Sequence, residues 1–82
     1  MRAKLGHRNV GALPERAILW DDGIRGFCAR RQFSSVVTFS VVYRTQDGLQ
    51  RWHKIGRYGV FTPDQARHEA ARVDMDVDMA IS

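Results

Sequence analysis

Arg51-Trp52-His53-Lys54-Ile55-Gly56-Arg57-Tyr58-Gly59 interleaves cations with aromatic rings and runs directly into Thr62-Pro63-Asp64-Gln65-Ala66-Arg67, which has the residues of a helix start. Side chains of this kind supply hydrogen-bond donors, positive charge and flat stacking surface, the groups that recognise phosphates and bases. Other residues able to do chemistry are sparse. Cys28 stands alone, which excludes an internal disulfide and a cysteine-based zinc site, and in a strand it reads as a small packing residue. His7, His53 and His68 lack the spacing of metal ligands. Asp21 and Asp22 are adjacent in a turn, where a carboxylate more often caps the chain or pairs with an Arg than holds a cation; a metal-dependent nuclease would have to be built on them. None of these residues calls for a cofactor.

The charge is distributed unevenly. The chain of 82 residues has a net charge of +4, but residues 1 to 59 carry eleven Arg or Lys against four acids, a balance of +7. Residues 60 to 82 carry two Arg against five acids, a balance of −3. A cationic body turns toward a polyanion, because neutralising phosphates releases their counterions. At 44% hydrophobic and 27% charged residues the composition is that of one small globular domain. No apolar run follows a basic start as in a signal peptide, and no stretch approaches the roughly 20 apolar residues of a membrane span. With a single cysteine, a reducing cytoplasm is the expected compartment, and no membrane is an expected partner.

The elements that would position these side chains are legible from periodicity. Residues 1–17 show none and are expected to be a mobile lead-in, with the domain over 18–82 and Trp20 anchoring its core. Asp21-Asp22-Gly23 reads as a turn. Strands are expected over Gly26 to Phe33, Val36 to Arg44 and Leu49 to Ile55, joined by a Ser34-Ser35 turn and by the hairpin signal Gln46-Asp47-Gly48. A helix follows: Thr62 caps it, Pro63 fits the first position, Asp64 suits the dipole and Gln65 completes a capping box. Ala66, Ala70, Val73 and Val77, with Met75 beside them, form its apolar stripe. The expected fold is α+β, a three-stranded antiparallel β-sheet packed on one face by a single C-terminal α-helix.

Period two then sorts the side chains. With Phe27, Phe39, Val41, Tyr43 and Ile55 under the helix, the free face displays Arg30, Gln32, Thr38, Ser40, Val42, Arg44, Gln50, Trp52 and Lys54, with Arg57 and Tyr58 at the sheet edge. Arg brackets a guanine edge, Gln pairs with adenine, Thr and Ser reach phosphates, and Lys adds point charge. A large aromatic such as Trp52 on a solvent face points to a contact.

Taken in order, Trp20-Asp21-Asp22, Ile24-Arg25-Gly26-Phe27, the Phe39-to-Arg44 strand, Ile55-Gly56-Arg57-Tyr58-Gly59 and Ala66-Arg67 resemble the N-terminal arm-type DNA-binding domain of phage integrases, the tyrosine recombinases of prophages and integrative islands. The resemblance spans about residues 18 to 78. It implies a three-stranded sheet inserted into the major groove of arm sites, with double-stranded DNA and other integrase domains or subunits as partners. The catalytic Arg, His and Tyr of that family lie in downstream domains, so a non-catalytic module from a longer integrase is implied, and Tyr43 and Tyr58 are not nucleophiles. Two stretches depart from the pattern. Ser35, Val36 and Val37 stand where the family often has a Gly and a Lys, and His53 replaces an inward aliphatic residue, where a hydrogen-bonded histidine at the core edge is expected.

Other readings fit the same residues. Trp52, Tyr58 and Phe61 would serve a single-stranded nucleic-acid binder as stacking platforms. Trp52 and Val42 would seed a protein-interaction patch. Gly23-Ile24-Arg25-Gly26 and Gly56-Arg57-Tyr58-Gly59 echo the Gly-x-x-Gly clamp of KH domains, although their flanks read as strand or turn.

Overall fold

A computed structural model describes residues 2–32, 35–45 and 47–81, with side chains of the last helix described as far as Val73. The alternating stretch rich in Val, Thr, Phe and Tyr forms the long strand β4 (Val37–Arg44), whose Val37, Phe39 and Val41 are buried on one side. Asp47-Gly48 turns the chain, with Gly48 at a φ of +82°, into β5 (Gln50–Arg57). On the other flank of β4 lies β3 (Phe27–Arg31), paired antiparallel so that Phe27 faces Val41 and Ala29 faces Phe39. Phe27 and Phe39 stack at 6.1 Å between centroids, and burying each contributes roughly 1.5–3 kcal/mol.

The sheet has five strands, and it is mixed, where three antiparallel strands were expected. Two more strands continue it beyond β3: β2 (Ile18–Asp21), antiparallel to β3, and β1 (Arg2–Ala3), parallel to β2. The strand at β2 was hidden because Ile18-Leu19-Trp20 are three apolar residues in a row. Its alternation appears only once Leu19 and Asp21 are buried on the core side and Ile18 and Trp20 lie opposite. The pairing covers the backbone donors and acceptors that a three-stranded meander would leave bare along β3.

Residues 2–17, expected to precede the ordered part, contribute to the core. Besides β1 they form the short helix α1 (His7–Gly11), and Leu5, Val10 and Leu13 join Leu19, Phe27, Ala29, Val37, Phe39 and Val41 in one apolar cluster. Without them the small core would lose three of its buried aliphatic side chains.

The other side of this cluster is closed by α2 (Pro63–Ile81). Its start follows the capping box: Thr62 N–H donates to Gln65 Oε1 at 2.9 Å and Gln65 N–H donates to Thr62 Oγ1 at 3.1 Å. Ala66 and Ala70 are fully buried, and their small size lets the helix lie close to the sheet. Phe33, Ser34 and Gln46, which enter the expected first strand and turns, lie outside the described residues, as do the side chains of Met75 and Val77. Among the described residues no helix is long and apolar enough to cross a membrane.

Candidate nucleic-acid interface

Cross-strand partners share a face of a sheet, so the register decides which side chains stand together. Arg30 faces Thr38, Ser40 faces Lys54, Val42 faces Trp52 and Arg44 faces Gln50, all on the side away from α2. Arg30, Gln32, Thr38, Ser40, Trp52 and Lys54 line one shallow depression of about 550 Å³ together with Val36. The side chains of Arg30, Arg44, Lys54 and Arg57 form no ion pair or hydrogen bond with any described residue, which leaves their donors available.

Arg57 reaches this face through an irregularity. Strict alternation from Lys54 would place Arg57 on the helix side together with Ile55. Between Ser40–Lys54 and Phe39–Gly56 the register shifts by one residue, and after this bulge Arg57 pairs with Thr38 on the open side. Gly56 makes the bulge affordable: a side-chain carbon there would run into the Phe61 ring, which lies directly against its backbone.

The open face is not a purely polar layer. Cys28 is 0% and Ser40 8% exposed although both belong to it, so something roofs them. The roof is aromatic. Trp20 and Trp52 approach to 6.2 Å between ring centroids, and the Arg30 guanidinium lies over the Trp52 ring at 5.8 Å. Trp20 therefore belongs to the open face and not to the core it was expected to anchor. The pairing of Trp20 with Cys28 in β2–β3 is what puts it there. Arg2, paired with Trp20 at the far edge, joins the same face; neither residue was legible as part of it while β1 and β2 went unrecognised.

Other expectations also need correction. Tyr58 stands apart from the candidate contacts: its ring meets Phe39 edge-on at 6.1 Å and its hydroxyl lies 3.1 Å from Nδ1 of His7, on the core side. Phe61 packs against the same cluster, so Trp52, Tyr58 and Phe61 do not assemble into one stacking platform. Ser40, 8% exposed, offers little surface at the floor of the depression. His53, opposite Val41 on the α2 side, is exposed and has no hydrogen bond with a described residue, because the β4–β5 hairpin runs past the cover of the helix there.

Asp21 is committed to structure. Its Oδ2 accepts N–H bonds from Gly23 and Ile24 at 2.9 and 2.8 Å, and its Oδ1 accepts from Leu5 N–H and from Arg67, both at 3.0 Å. Burial pushes its pKa up, but the hydrogen bonds from Ile24, Leu5, Arg67 and Gly23 together outweigh that and hold the carboxyl below its ordinary value. With both oxygens doubly engaged, Asp21 has no free coordination for a cation. Among the described residues no three His, Cys, Asp or Glu side chains cluster as metal ligands. Cys28 is likewise packing, its thiol pushed up by burial to about 11 against smaller opposing effects of Arg30 and the Ser40 backbone.

No protein-family model, curated protein or solved structure matches the chain.

Proposed function

We propose that the chain is a non-catalytic module that binds double-stranded DNA by setting the open face of its sheet against the major groove, the role implied by its resemblance to the arm-type domain of phage integrases. In such a system the module supports site-specific recombination and DNA integration in the cytoplasm. The observation that carries this reading is the set of four cations, Arg30, Arg44, Lys54 and Arg57, whose side chains form no ion pair or hydrogen bond with any described residue and which share one sheet face with an exposed Trp52. Gln32, Thr38 and Gln50 add neutral donors and acceptors to that face.

Dimensions refine the picture. Three strands span two inter-strand spacings, about 10 Å, which fits a major groove about 12 Å wide, whereas five strands span about 19 Å. Only β3 to β5 therefore enter, and β1 and β2 remain over the groove rim, where Arg2 meets the phosphate backbone. The sheet reader of this proposal is one flank of a five-stranded sheet.

Titration of random-sequence duplex DNA at several ionic strengths tests the reading. Four to five phosphate or groove contacts by cations give a log–log salt slope of about −4. No binding at low salt overturns it. A second reading, a protein contact centred on Trp52, is favoured by the cross-strand pairing of that exposed ring with Val42. It is selected instead if the chain captures a recombinase partner in high salt and leaves DNA unbound in low salt.

A further inference from the structure

We infer that Arg30 reads a guanine, and that Trp52, in tilted contact with Trp20, is the positioning residue that holds its guanidinium for the purpose. This inference rests on the duplex-binding reading and adds to it a residue and a base.

Arg30 projects from β3 and Trp52 from β5, two strand spacings or roughly 9.6 Å apart. A separation of 5.8 Å between the Arg30 guanidinium carbon and the Trp52 centroid requires both side chains to lean inward over β4. They can do so because β4 and β3 carry only Ser40 and Cys28 beneath them, both buried by the overlap. Trp20, 6.2 Å from Trp52 between ring centroids, limits the ring's own freedom. The cation thus sits above the middle of the three strands that fit the groove, where base edges lie, while Lys54 and Arg57 on the outer strand and Arg44 at a strand end lie toward the phosphates.

Chemistry supplies the base. The contact with the Trp52 ring restricts where the guanidinium sits and leaves its N–H groups uncommitted, since its side chain forms no ion pair or hydrogen bond with a described residue. A planar edge with parallel donors matches O6 and N7 of guanine, two acceptors side by side in the major groove. Lysine would keep the charge and lose the fork. An aromatic plate beneath an arginine lowers the conformational freedom lost on contact, so the same hydrogen bonds yield more discrimination.

Selection from a random duplex pool, followed by sequencing of the bound fraction, tests this with the whole chain. Wild type should enrich one guanine position. Replacing that base by 7-deazaguanine, which lacks the N7 acceptor, should weaken wild-type binding about 5- to 150-fold. Arg30→Lys should lose the guanine preference, and Trp52→Leu should reduce that preference although Arg30 is intact. Enrichment of the same guanine by Arg30→Lys, or indifference of wild type to 7-deazaguanine, overturns the inference. Tight binding of the pool with no enriched base overturns the inference alone and leaves the duplex-binding reading standing; failure to bind the pool at all overturns both.

Discussion

The Arg67 guanidinium on α2 donates to the Asp21 carboxylate at the end of β2, 46 residues away in sequence, at 3.0 Å. The same nitrogen donates to the Leu5 carbonyl at 2.9 Å, and Asp21 accepts from the Leu5 N–H, so one ion pair fastens the N-terminal segment, the sheet and the helix. The Asp21 side chain is only 1% exposed, and a buried carboxylate that loses its cation keeps its desolvation cost. Arg67→Ala should therefore cost about 2–4 kcal/mol, partly cushioned by the three backbone donors that remain. Urea denaturation checks this; a loss below about 1 kcal/mol would show the pair to be incidental.

The pair also makes stability depend on acid. The Asp21 carboxyl has a lower pKa folded than unfolded, so at acid pH the unfolded chain binds the proton first. Its contribution is complete above the ordinary value of 3.8 and disappears as pH falls through the lower, folded value. Thermal midpoints measured from pH 6 downward should fall in wild type, and Asp21→Asn, less stable at pH 6, should show a shallower decline across that window.

Cys28 should resist thiol reagents. It is fully buried under the tryptophans, and with its thiol near 11 almost no thiolate exists at neutral pH. A disulfide reagent at pH 8 should label the native chain at least about a hundredfold more slowly than the chain in denaturant. Fast native labelling would mean that the Trp20–Trp52 roof opens readily.

Two glycines with positive φ should respond differently to alanine. Gly26 lies at +80°, and an added carbon would collide with the Val42 carbonyl of the adjacent strand, whereas Gly48 at +82° faces open space. Gly48→Ala should cost about 1 kcal/mol, from backbone strain alone, and Gly26→Ala at least about 3 kcal/mol. Equal losses for both would contradict the close approach of β3 and β4 at Gly26.

The faces of β5 should separate binding from folding. Lys54→Ala should reduce the salt slope of duplex binding by roughly one unit with little effect on stability. Tyr58→Phe should leave DNA affinity and slope unchanged, because the hydroxyl is directed at His7 on the other side of the sheet. A large affinity loss in Tyr58→Phe would restore it to the contact surface from which its packing removes it.

What local sequence determines here is periodicity, punctuation and charge. Alternation from Val37 to Arg44 placed Phe39 and Val41 inside and Thr38 and Ser40 opposite, and the Thr62–Gln65 box started α2, because each depends on neighbours within a few residues, while the cations outnumber the acids only before residue 60. Tertiary structure decided the rest. A bulge at Ile55-Gly56 carried Arg57, expected at the sheet edge, onto the open face, where alternation continued from Lys54 would have turned it toward the helix, and the bulge forms where Phe61 folds back onto Gly56. Pairing with β3 turned the apolar triplet Ile18-Leu19-Trp20 into a strand that sends Trp20 outward, while core space at Leu5, Val10 and Leu13 drew in a segment with no periodicity of its own. These outcomes depend on contacts between residues distant in the chain, whose free energy exceeds the local preferences from which a single sequence can be read.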